Sequence, residues 1–197
     1  MLSASMFLSF VFGFILAVFL ILYGPHGLRP DGFKYKILDF IVNSIRSFPI
    51  IILIVAISPL TRILVGTSIG EKAAIFPLTL AATPFMARII ENSLKEVDKQ
   101  LIEAARSFGA SDFQIIMKVM VKESVPSVVA GTTLATITFL SATTMAGAVG
   151  AGGIGAVALN YGYQSFNNTV LYTSVLILFI MVFIIQWVGD WLYKRIL

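Results

Sequence analysis

Residues 2–23 contain no charged side chain and consist mainly of Phe, Leu, Ile and Val. A run of that length is a helix that crosses the hydrocarbon core of a bilayer, for which about 20 apolar residues suffice. Four further apolar stretches follow, at about 48–65, 73–90, 126–149 and 170–193. The expected fold class is therefore all-α: one polytopic membrane domain over residues 1–197, with five transmembrane helices. Composition agrees, since 58% of the 197 residues are hydrophobic and 12% charged, whereas a soluble domain carries roughly a quarter charged residues. A cleaved signal peptide is a poor reading of 2–23, because the stretch is too long, no basic residue precedes it and no small-residue cleavage site follows.

The five stretches differ in character. In the second, Pro49 and Pro59 should bend or shorten the helix, and Arg62 near its far end reads as snorkelling to the surface. The third carries Pro77 and Pro84, with Arg88 and Glu91 three residues apart and able to pair on one helical face. The fourth is uncharged but rich in Thr, Ser, Ala and Gly, including Ser127, Gly131 and Ala135 at four-residue steps. Small residues let helix backbones approach closely, which places this span in the protein interior. It is also the one candidate for a polar, uncharged path. Thr133, Leu140 and Thr144 share a face, with Thr136, Ser141 and Met145 close by, and Met145 stands where a flexible, polarizable side chain could close a passage. The alternative role for Met145 is core packing. The last span is bulky and apolar, with Trp187, Trp191 and Tyr193 forming an interfacial belt before Lys194 and Arg195.

Five spans put the termini on opposite sides. Of the fourteen Lys and Arg residues, twelve fall on one side and only Arg62 and Lys72 on the other. The positive-inside tendency then puts the N-terminus outside and both the 93–122 loop and the C-terminus in the cytoplasm. The short basic segments form no continuous stripe, so the net charge of +4 reports topology and not nucleic-acid binding.

The 93–122 loop is polar but patterned. Val97, Leu101, Ala105 and Phe108 recur at spacings of four, four and three, which predicts an amphipathic helix of about three turns. Ser93 with Glu96 has capping-box spacing, Gly109 suits a left-handed stop, and Ser111 with Gln114 offers a second box that opens another helix. The reading is a structured docking loop; a helix lying on lipid is the alternative.

Within that loop, residues 103–109 read EAARSFG. EAA, three residues and then Gly resembles the signature of permease subunits of binding-protein-dependent ABC importers. The family pattern continues after nine residues as Ile, any residue, Leu, Pro, where this chain has Val119, Met120, Val121 and Lys122; the Pro is absent, and Pro126 is a candidate start for the next helix. More widely, RSFPIIILIVAISPLTRILVGTSIG at 46–70, TPFMARIIENSL at 83–94 and MAGAVGAGGIG at 145–155 are similar to permeases of bacterial methionine-uptake importers. The resemblance implies that Glu103, Ala104, Ala105 and Gly109 dock a cytoplasmic ATP-binding subunit. It also implies a homodimer in the bacterial inner membrane, fed by an extracytoplasmic substrate-binding protein, with alternating access driven by ATP. Family members carry more sequence ahead of the first span than is found here.

Other chemistries fit poorly. Gly150, Gly152 and Gly155 spell G-x-G-x-x-G, but an apolar span precedes them and no acid lies between Glu123 and Asp190, so a dinucleotide site lacks its βαβ setting and its ribose carboxylate. A flexible reversal is the better reading. There is no Walker-type loop, no Ser, His and Asp constellation and no metal-ligand cluster, so no catalytic residue, metal or cofactor is expected and ATP hydrolysis is assigned to a separate chain. No cysteine is present, which excludes disulfides and thiolate sites. The lone His26 reads as a turn residue. The spans carry no central carboxylate, which lowers a proton- or sodium-coupled transporter. The alternatives kept open are a permease of the same type for another amino acid or small solute, and an ATP-independent channel or transporter.

Overall fold

The computed structural model describes residues 1–196, whose regular elements are all helices, with no strand among them. The elements are α1 (Leu2–Tyr23), α2 (Gly32–Ser47), α3 (Ile50–Ala56), α4 (Ser58–Val65), α5 (Glu71–Lys95), α6 (Lys99–Ser107), α7 (Asp112–Ile115), α8 (Val121–Ala146), α9 (Gly153–Ala156) and α10 (Asn168–Ile196). A π-helical stretch, Ile116–Met120, joins α7 to α8. Four helices are long and apolar enough to cross a membrane, and α2 with α3, bent by 100°, makes a fifth if the pair is one span.

The expected second span is the least regular. Asp31 caps α2 by accepting the N–H groups of Phe33 and Lys34. Pro49 then opens α3, Ile57 separates it from α4, and Gly66 at φ +85° ends α4. Residues 50–65 thus form two short helices, with the break at Ile57 just ahead of Pro59, an interruption of the kind prolines introduce.

The centre of the bundle is α5, not the Thr-rich fourth span. Of the most apolar window of each helix, 61% is buried in α5 and 22% in the helix ending at Ala146. The cause lies in α1, where Ser5, Ser9, Gly13 and Ala17 form a buried four-residue stripe. Such a stripe lets two backbones approach closely, and a Cβ on Gly13 would stand 2.8 Å from the Met86 Cβ. The Ser9 hydroxyl donates to Ser5 O at 2.6 Å and reaches Thr79 O across the contact at 3.2 Å. The fourth span packs on α5 along one face, where Gly131 meets Ile89 and the Ser127 hydroxyl donates to Glu96 at 2.7 Å. A second contact is made with α10, where Thr133 meets Gly189, and the side carrying Leu134, Thr138 and Met145 is left open.

The helix that carries the third span runs on past 90 to Lys95, with Ile90 and Leu94 buried in the core. Two local expectations are corrected. Ser93 lies inside that helix and does not cap the next, a role taken by Asp98. Pro126 starts nothing, because the helix begins at Asp112 and runs unbroken through Lys122 and Pro126 to Ala146.

At the far end, Val149 and Gly150 leave helical geometry, Gly150 at φ +94°. The Gly150 carbonyl accepts the N–H of Gly70 at 2.9 Å, which ties the reversal to the start of α5. The chain then folds back against α8 through α9, where Gly155 meets Thr144, and continues in a π-helical stretch, Val157–Tyr163. The G-x-G-x-x-G letters therefore shape a chain reversal. Helix α10 follows, with 6% of its window buried, as its bulky composition predicts for a lipid-facing span.

Candidate functional site

The segment between α5 and α8 is built from caps. Asp98 accepts the N–H of Gln100 at 2.9 Å and opens α6. At the other end Gly109 adopts φ +77°, its N–H donates to Arg106 O at 2.9 Å, and Ala110 N–H donates to Ala105 O at 3.1 Å. This is the paired closure of a Schellman stop, in which the left-handed residue is ordinarily Gly. Ser111 and Gln114 form a reciprocal capping box for α7. The Gly stop and the second box thus stand as read from sequence, while α6 is nine residues long and excludes Val97.

No residue of α6 is buried. Ile102 and Ala105 rest against the core, but Leu101 is 44% exposed, Phe108 92% and Phe113 of α7 72%. The apolar stripe is therefore rotated off the bundle: its edge seats the helix and its centre points away. Glu103 and Ala104 are exposed, Ala105 is half-buried, and Gly109 has open space around it. The four residues expected to dock a partner lie together on the outer surface.

The segment is braced from a direction that the sequence did not indicate. Arg29, in the linker after α1, pairs with Asp112 in the first turn of α7. Arg106 donates to Leu28 O at 3.3 Å and stands 4.0 Å from the same carboxylate. Separations of 83 and 78 residues leave no periodic signal. Above this, Arg88 pairs with Glu91 at 2.7 Å, as its spacing predicts, and with Asp39 of α2. Glu91 is fully buried and accepts also from Lys95 at 2.7 Å. The end of α5 that leads into the docking segment is thereby clamped to α2.

The residues singled out for a path do not converge. Thr133 and Thr136 line a groove beside α10, where Thr133 packs on Gly189. Leu140 is 5% exposed, and Thr144 packs against Gly155. Ser141 and Met145 are exposed, on a stripe with Ala130, Leu134 and Thr138 that runs along the opposite side of α8. Among the described residues no group of acids and histidines could hold a metal ion.

A multi-span helical protein that presents a capped, braced and outward-facing apolar segment between two spans is, as a class, a membrane subunit built to seat a partner. The binding-protein-dependent transport system inner membrane component family matches residues 9–197. A probable D-methionine transport system permease protein of Vibrio cholerae is 42% identical over 95% of this chain and 84% of its own length. A methionine import system permease protein of Bacillus subtilis is 42% identical over 79% of this chain and 70% of its own. Among solved structures, an inward-facing MetNI methionine ABC transporter superposes with a TM-score of 0.96 at 43% identity, covering 98% of this chain and 89% of that one. An amino acid ABC transporter at 18% identity, with a TM-score of 0.75, shares the fold. This chain belongs to the binding-protein-dependent transport system inner membrane component family.

Proposed function

We propose that this chain is the membrane permease of an ATP-driven importer of methionine in the bacterial inner membrane. Two copies enclose the path, two cytoplasmic ATPase subunits drive it and an extracytoplasmic binding protein delivers the solute. The N-terminus lies outside and the C-terminus in the cytoplasm. The observation that carries the reading is the exposure of Leu101, Phe108 and Phe113 on a segment whose caps and ion pairs hold it rigid. Apolar side chains held out from a membrane protein's polar loop need a protein surface to cover them. Glu103, Ala104, Ala105 and Gly109 form the small-residue approach to that surface. Hydrolysis belongs to the partner, and this chain transmits its movement through α5 and α8.

The path runs between copies, along the exposed stripe of α8 that includes Ser141 and Met145. Thr133, Thr136, Leu140 and Thr144 support that stripe from behind. The experiment is co-purification with ATPase subunits, followed by solute-dependent ATP hydrolysis and uptake in proteoliposomes. Stimulation by methionine above other amino acids is expected; stimulation by a different solute alone moves the assignment within the family, and uptake without an ATPase overturns it.

A further inference from the structure

The side of α8 opposite the exposed stripe borders a groove of about 660 Å³. Phe10 and Phe14 of α1 and Ile90 of α5 form its floor, Val125 and Val128 of α8 one wall, and Val188 of α10 the other. It follows α8 from Val121 to Thr136, a rise of about 22 Å. One leaflet of a bilayer, headgroup included, is about 20–22 Å deep. The α10 wall stays open to the side, with Ile184 55% and Val188 40% exposed.

Charge is set at one end only. On α10, Arg195 follows Val188 and Leu192 along the same helical face, with its guanidinium over the Trp191 ring. On α8, helical periodicity puts Lys122 on the edge that carries Thr133, the residue in contact with Gly189 of α10, and Lys118 stands one turn earlier, in the π-helical stretch that leads into α8. Lys118, Lys122 and Arg195 are exposed, and none belongs to an ion pair among the described residues. The two acids nearest in sequence, Glu123 and Asp190, lie off this face: Glu123 lines a separate recess with Ser93 and Asp98, and Asp190 accepts from Gln186 at 2.9 Å.

We infer that this groove is a binding site for one anionic phospholipid of the leaflet on the docking-segment side, its acyl chain between α8 and α10 and its phosphate held by Lys118, Lys122 and Arg195. A second copy of the chain is a poorer occupant, since three uncompensated cations would be brought against it. From the proposed function the inference takes only that this side is cytoplasmic, where anionic lipids attract basic residues at about 1 kcal/mol each. An importer whose transport fails can still bind the lipid.

The test is native mass spectrometry of the full transporter complex, titrated in detergent with phosphatidylglycerol and, separately, phosphatidylcholine, without ATP or substrate. Retention of one phosphatidylglycerol per copy of this chain is expected. Each of K118Q, K122Q and R195Q should weaken it roughly 5-fold, with phosphatidylcholine unaffected. Val128→Trp, or Val188→Trp from the opposite wall should the first fail to assemble, should abolish retention by filling the groove. Undiminished retention in an assembled tryptophan variant, charge variants without effect, or no retained lipid in the unaltered complex would each overturn the inference.

Discussion

Gly109 holds φ at +77° with nothing within reach of an added Cβ, so what a side chain meets there is its own backbone. A β-branched residue in that conformation costs about 1–2 kcal/mol, enough to unwind the α6 stop. Gly109→Val is expected to abolish ATP-driven uptake while membrane insertion persists, and Gly109→Asn, which tolerates left-handed geometry, to retain a measurable part. Glu91 is the other pivotal side chain, a fully buried carboxylate between Arg88 and Lys95. Its removal leaves Arg88, only 14% exposed, with Asp39 as its remaining carboxylate beside the Asn43 amide, and Glu91→Ala should lower stability by about 3 kcal/mol, read as a fall in the unfolding midpoint in detergent. At the start of α2, the N–H of Lys34 above all, with its ammonium, holds the Asp31 carboxyl below the ordinary carboxylate value. A lowered value means stabilisation that is complete above the unfolded pKa and lost as pH falls through the folded one. Faster amide exchange at Phe33 and Lys34, after correction for intrinsic rates, is expected on acidification and should be absent in Asp31→Asn.

Among the elements, α6 is seated lightly by Ile102 and Ala105 and tied by Arg29, Arg106 and Asp112 to the linker behind α1. Exposed ion pairs contribute little to stability, so the value of this tie is positional. Asp112→Ala should leave the unfolding free energy within about 1 kcal/mol of the unaltered chain yet raise amide exchange across residues 25–31, whereas a tie without that role would leave exchange there unchanged. Helix α8 has two open sides, the groove beside α10 and the stripe that includes Met145. A cysteine at Met145 should react with a water-soluble thiol reagent in one nucleotide state and be protected in another; constant protection would return the residue to packing.

For the whole molecule, the absence of a nucleotide motif and of midplane carboxylates in the sequence predicts that this chain alone neither hydrolyses ATP nor accumulates solute under an imposed pH gradient. Proteoliposomes of the single chain measure both. Enclosure argues the same way, because among the described residues α5 is the most buried of the membrane-length helices and a single copy leaves the Met145 side of α8 uncovered.

The all-helical membrane class, the Gly109 stop, the Ser111 box and the pairing of Arg88 with Glu91 were legible in the chain itself, because each depends on residues within about one helical turn or on total apolar length. The EAARSFG segment, read with its setting between spans, carried the family as well. Which helix occupies the centre was not legible from composition: the Thr-rich span drew attention, while the stripe of Ser5, Ser9, Gly13 and Ala17 that builds the α1 and α5 contact was equally regular. Only the tertiary structure could rank the two, since a small-residue stripe states that a helix is able to pack closely and not against what. The rotation that turns Leu101 and Phe108 outward and the link from Arg29 to Asp112 were likewise decided by packing. Each depends on how residues far apart in sequence are brought together, and local periodicity carries no information about that.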